Sequence, residues 1–289
     1  MGRVGYALFP LMTRRATGML MVMPALAILG LSFLWPLLVL ARMSLNRTAD
    51  GGAIVTAFGT ETYAKLATDD FTWALTADSL RLAAVSATIA VALAYPMALF
   101  LFRSRSRFRG VLAVAAVAPL LVSGVARVIG WLAILGDGGL VNGALAALGL
   151  PKQALINNWT GVQIGLTESV MPYAVLALLA GFGRLDSRLE EAAATLGARP
   201  WAAFWTVTLP LTLPAVIGAW LLDFVLGVSA FITPKLMGGG RVFTLATEIY
   251  DAATQTLDWP AAAALSMFVL ALLAVILGAQ AVVSRRMRA

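Results

Sequence analysis

Between Arg15 and Arg42 the chain carries no charged residue, and similar runs lie between Arg81 and Arg103 and between Asp258 and Arg285. A helix needs about 20 apolar residues to cross the hydrocarbon core, where each backbone amide must bond within its own helix. Three further runs of that length each hold one charge: Arg127 in 110–135, Glu168 in 159–182 and Asp223 in 210–232. The pattern predicts an all-α integral membrane protein with one transmembrane domain, 1–289, and six transmembrane helices near 17–40, 80–102, 110–135, 159–182, 210–232 and 260–284. The first run follows Arg14 and Arg15, as a signal peptide would. It is longer than the roughly 7–15 apolar residues of a secretory core, so it is read as a span.

Composition narrows the chemistry. With 61% hydrophobic and 12% charged residues, 289 residues cannot cover a soluble surface. The chain has no cysteine and no histidine. Disulfides, Cys/His zinc sites, thiol nucleophiles and imidazole acid–base catalysis are therefore excluded, and neither a metal site, a cofactor nor a catalytic centre is expected. The net charge of +7 reports topology, not nucleic-acid binding. Arg3, Arg14, Arg15, the Arg103–Arg109 cluster, Arg184, Arg188, Arg199, Arg285, Arg286 and Arg288 fall on one side, against Asp186, Glu190 and Glu191. The other side carries nine acids, among them Asp50, Asp78, Asp137 and Asp258. Positive residues stay inside, which places both termini of a multi-pass protein in the cytoplasm. Trp73, Trp159 and Trp259 fall near the outer boundary, and 138–151 (GGLVNGALAALGLP) reads as a short helix on the outer face.

The second inner loop, 184–209, is ordered by its own residues. Ser187 and Glu190 have capping-box spacing, and Glu190 and Glu191 suit the positive end of a helix. Leu189, Ala193 and Leu196 make a narrow apolar stripe; Gly197 can end the helix in the left-handed region, and Pro200 stops its continuation. Trp201, Phe204 and Trp205 open a second short helix that runs into Pro210. A connector lying on anionic headgroups would carry bulky apolar residues and lysines, whereas this one offers alanines and carboxylates. A docking helix for a soluble partner is the favoured reading.

Glu191, Ala192 and Ala193, then Gly197, then Val207-Thr208-Leu209-Pro210 resemble the EAA loop of permease subunits in binding-protein-dependent ABC importers, with Val207 where the motif has Ile. RVIGW at 127–131 followed by GGLVN at 138–142, FITP at 231–234 followed by Gly238 and Gly239, and Asp258-Trp259-Pro260 narrow the likeness to PotB-like permeases of the spermidine/putrescine type. It covers most of the chain from the second span onward. The resemblance implies the type I importer (MetI-like) architecture, in the bacterial inner (plasma) membrane. It also implies an ATP-binding ABC subunit in two copies, a second permease subunit (PotC-like) and an extracytoplasmic solute-binding protein. Glu190, Glu191, Ala192, Ala193, Gly197 and Pro210 would form the ATPase-coupling loop. The chain lacks the G-x-x-x-x-G-K-[ST] phosphate loop, so it must borrow work from such a partner.

Charges at bilayer depth are costly unless they pair or face water. Arg127, Glu168 and Asp223 either line a solute path, with a net charge suited to an organic cation, or supply an interhelical ion pair, Arg127 with Glu168 or with Asp223, that fixes packing, or lie nearer an interface than their place in the runs suggests. Trp131, Tyr173 and Trp220 are candidates to hold a cation on their ring faces, or else packing residues. A self-contained ion-coupled secondary transporter or channel is the alternative function. It accounts for the spans but not for the EAA-like elbow, and the inverted repeats common in such carriers are not evident.

Overall fold

Alanine repeats set the centre of the molecule. The computed structural model describes the backbone of residues 14–49, 53–183, 185–186 and 188–286, with side chains over 22–282 of these. Ser187, Arg184, Asp50, Arg3 and Arg288 lie outside the described residues, as do the side chains of Arg14, Arg15, Arg285 and Arg286. The elements run α1 (Arg14–Met43), a hairpin of β1 (Arg47–Thr48) and β2 (Ile54–Val55), α2 (Glu61–Thr68), α3 (Asp70–Arg103), α4 (Phe108–Val117), α5 (Gly124–Leu135), α6 (Leu140–Ala147) and α7 (Trp159–Phe182). Then follow α8 (Arg188–Thr195), α9 (Pro200–Ala203), α10 (Leu209–Ser229), α11 (Ile232–Met237), α12 (Leu245–Thr254) and α13 (Trp259–Arg286). Six helical stretches among the described residues are long and apolar enough to cross a bilayer.

Helices α3, α7 and α10 pack on one another as the core. Ala83, Ala87, Ala90, Ala94 and Ala98 recur every three or four residues on α3 and are buried, so its partners approach closely. A Cβ added to Gly227 of α10 would lie 3.1 Å from Ala83 Cβ, and one on Gly181 of α7 only 2.2 Å from Ala215 Cβ. The Gly161/Gly165 step on α7 serves two different contacts. A Cβ on Gly161 would meet the Leu155 carbonyl oxygen at 2.2 Å, and one on Gly165 would meet Met237 Sδ at 2.4 Å.

The run 110–135, expected as one span, is interrupted. After α4 the chain makes a 3-10 turn over Ala118–Leu121, passes through extended Val122 and Ser123, and restarts as α5. Pro119 has no N–H to continue the ladder. Buried Asn142 pins the segment that follows α5: its Nδ2 donates to the Gly136 and Gln153 carbonyls, and its Oδ1 accepts from Gln153 N. Helix α1 lies outside the core and packs on α13. The hairpin after it, paired Arg47 to Val55 and Thr48 to Ile54, is tied to the start of α13 by Thr48 Oγ1 donating to Asp258 Oδ1 at 2.6 Å.

Candidate functional site

The elbow is built as its glycine requires. Gly197 has φ +82° and open space where a Cβ would stand. Its N–H reaches the Ala194 carbonyl at 3.0 Å and Ala198 N–H reaches the Ala193 carbonyl at 3.0 Å, the paired bonds of a Schellman terminus. Pro200 then opens α9, where the missing N–H costs nothing. Phe204–Thr208 widen into a π-helical turn, with Leu209 N–H bonding back to the Phe204 carbonyl. The widening relieves the clash that Pro210 would impose on the preceding turn. Trp201, Phe204 and Trp205 pack as a ring cluster with centroids 5.3–5.8 Å apart.

Helix α8 buries none of its residues. Glu191 and Ala192 are exposed, Ala193 is half-buried, and Leu196 is 87% exposed. The expected stripe of Leu189, Ala193 and Leu196 thus leaves both leucines on the outside. Glu190 turns the other way. Its Oε1 receives Arg103 of α3, with which it forms an ion pair, and Thr208 Oγ1 at 2.5 Å.

The intramembrane charges separate into two groups. Arg127 Nε on α5 lies 3.3 Å from Glu168 Oε2 on α7, without hydrogen-bond alignment. The rest of the guanidinium donates to the Pro119 carbonyl at 3.1 Å and to Ser169 Oγ at 3.2 Å, while Trp131 Nε1 donates to the same Glu168 oxygen at 3.2 Å. Arg127, Trp131 and Glu168 therefore form one cluster, partly open to the outside. Asp223 is not part of it: its side chain is fully buried on α10, and neither oxygen accepts a hydrogen bond. A solute cannot reach it in this conformation. Trp220 stacks on Phe224 and donates to Thr88 Oγ1 at 2.9 Å, and Tyr173 is exposed. A cavity of about 520 Å³ opens between the N-terminal halves of α3 and α7, beside Asp78, Arg81, Thr160 and Gln163.

The sequence marks Arg103 only as a basic loop residue and Thr208 only as part of the motif, with nothing to bring either to Glu190. They lie 87 and 18 residues from Glu190, and only the register of α3 against the elbow brings them together.

The chain matches the family described as binding-protein-dependent transport system inner membrane component over residues 11–289. It is 29% identical over 248 residues to the spermidine/putrescine transport system permease protein PotB of Escherichia coli, covering 85% of each chain. It is 35% identical over 201 residues to the molybdenum transport system permease protein ModB of Mycobacterium tuberculosis, covering 68% of this chain and 74% of that one. Among solved structures, a chain of a bacterial alginate ABC transporter in complex with an alginate pentasaccharide-bound periplasmic protein superposes with a TM-score of 0.77 at 18% identity, covering 95% of this chain and 96% of that one.

Proposed function

We propose, on the premise that this chain belongs to the binding-protein-dependent transport system inner membrane components, that it passes a polyamine such as spermidine or putrescine, or a related small organic solute, through the membrane. It is a multi-pass permease subunit of an importer, and its fold is the MetI-like fold of such subunits. The observation that carries the cargo is the PotB likeness, which extends over 85% of both chains. The Arg127–Glu168–Trp131 cluster is where the solute passes. Its carboxylate and indole suit an alkylammonium, which would exchange with the Arg127 guanidinium for Glu168. Asp223 contributes only in another conformation of α10.

Both termini and the elbow face the cytoplasm. The exposed face of α8, with Glu191 and Ala192 beside half-buried Ala193, docks in a groove of an ATP-binding subunit; Gly197 sets its exit, and Pro210 with the π turn joins it to α10. Two copies of that ATPase, a second PotC-like permease and an outer solute-binding protein complete the assembly. This chain therefore hydrolyses no ATP. The ion-coupled carrier is the less favoured reading, because a carrier has no use for an exposed helix built to this pattern.

The test is uptake by the assembled importer in proteoliposomes, offered radiolabelled spermidine, putrescine and molybdate with ATP inside. Polyamine uptake that needs ATP supports the proposal. Uptake of molybdate alone, or uptake by this chain without ATPase, rejects it. Glu191→Lys and Gly197→Pro should each abolish co-purification of the ATPase.

A further inference from the structure

Helix α8 has no fully buried residue, so hydrophobic packing alone is a weak hold on its register. Among the described residues its side-chain hydrogen bonds to other elements all pass through Glu190. Arg103, in the last turn of α3, reaches both Glu190 Oε1 and Thr208 Oγ1, the latter at 3.2 Å, and Thr208 closes the triangle. Thr208 is 1% exposed and ends the π turn. Its carbonyl accepts from Thr212 Oγ1 at 2.9 Å, and Thr212 shares a hydrogen bond of 2.9 Å with the Tyr95 hydroxyl of α3. Tyr95 in turn meets the rings of Phe182 on α7 and Phe204 of the π turn edge-on at 5.3 and 5.9 Å. One chain of contacts thus runs from α8 into all three core helices. Beside it a cavity of about 280 Å³, bordered by Ala194, Ala198 and Ala203, lies between α8 and α9, so the packing of the two helices is loose there.

We infer that Glu190 is a positioning residue, a polar strut through which displacement of α8 moves α3 and α10, while Glu191 is left free for the ATPase. The inference rests on the docking role of the elbow and divides its two adjacent carboxylates. They point about 100° apart around the helix, so one can face inward and the other outward. Arg103 and Glu190 are 42% and 30% exposed, and solvent screens their attraction. The pair therefore adds little stability, and its function is to link two bodies that otherwise touch lightly. Coupling between sites needs such a contiguous physical connection.

The chain has no cysteine, so one introduced by Thr160→Cys, in the cavity between the outer halves of α3 and α7, gives this subunit a single label site, read on its own band after the labelled subunits are separated. In the assembled importer, reaction of that thiol with a membrane-impermeant maleimide is timed with and without ATP and vanadate, beside phosphate release. This readout needs no knowledge of the solute. Arg103→Glu is expected to retain the ATPase subunit and hydrolysis, while the ATP-driven change in labelling rate falls about three- to tenfold. Arg103→Glu with Glu190→Arg should restore it to within about twofold, and Arg103→Lys should keep most of it. An unchanged ATP response in Arg103→Glu, or a swap no better than the single variant, overturns the strut. So does loss of the ATPase subunit from Arg103→Glu, since the pair would then only shape the docking face. Full co-purification in Glu191→Lys would instead overturn the docking role, a result distinct from all of these.

Discussion

Arg127 and Glu168 meet across α5 and α7 at 3.3 Å, with Trp131 donating to the carboxylate they share. Both side chains are mostly buried, so removing one leaves the other uncompensated. Glu168→Ala or Arg127→Ala should each lower the stability of the purified protein by roughly 1–3 kcal/mol, less than for a fully buried pair because water still reaches this one. The double variant Arg127→Met/Glu168→Met should recover most of that loss in a thermal unfolding assay. If polyamine uptake recovers with it, the pair only packs helices and the solute passes elsewhere; if stability returns without uptake, the pair lies on the path.

Asp223 presents the opposite case, a carboxyl group at zero exposure whose two oxygens accept nothing. On the same face of α10 stand Ala219 and Gly227, so alanine fits the local pattern of small residues. Asp223→Ala should raise stability by about 1–3 kcal/mol, the usual cost of a buried polar group without a partner. It should also lower transport if the carboxylate is exposed and used in a second conformation. A fall in stability, seen as an earlier unfolding transition, would mean that the assembled protein supplies Asp223 with a partner.

The spans were readable because hydrophobic length is a one-dimensional property. The elbow was readable because Gly197, Pro200 and Pro210 act on the backbone within a turn of themselves. The break in 110–135 was not read: Pro119 stands in a stretch, 110–122, without a polar residue, and prolines elsewhere, such as Pro172, stay inside unbroken helices. The grouping of the charges was only half legible: the sequence offers Arg127 either acid as a partner and does not choose between them. Arg127, Glu168 and Asp223 look alike by depth in their spans, and only the rotation of each helix decides that two meet and the third is enclosed. Glu190 could be assigned to the elbow but not to its inner face, because its partner Arg103 belongs to another helix.

Gly197 separates backbone strain from steric clash. With φ at +82° and nothing near a Cβ, the position rejects most side chains for conformational reasons alone. Gly197→Asn, which tolerates the left-handed region, should leave ATPase co-purification close to normal. Gly197→Val should cost about 1–2 kcal/mol at the turn and sharply reduce the recovered ATPase. Equal behaviour of the two variants in a pull-down would show that the elbow does not depend on this turn.

Gly181 and Ala215 test the core in the other sense, where space and not backbone conformation is limiting. A Cβ at 181 would stand 2.2 Å from Ala215 Cβ, and neither group can swing aside, so Gly181→Ala must push α7 from α10. Overpacking of this kind typically costs about 1–3 kcal/mol. Because the obstacle is one methyl group, Gly181→Ala with Ala215→Gly exchanges the two and should restore the wild-type unfolding temperature, although Ala215→Gly alone is mildly destabilising in a helix. The pair sits near the C-terminal end of α7, one residue from Phe182, whose ring Tyr95 contacts. Gly181→Ala should therefore also slow ATP-driven uptake at temperatures where the protein remains folded, and the exchange variant should recover both properties together. Recovery of stability without recovery of uptake would show that this helix contact is sensed by the transport cycle through more than its spacing.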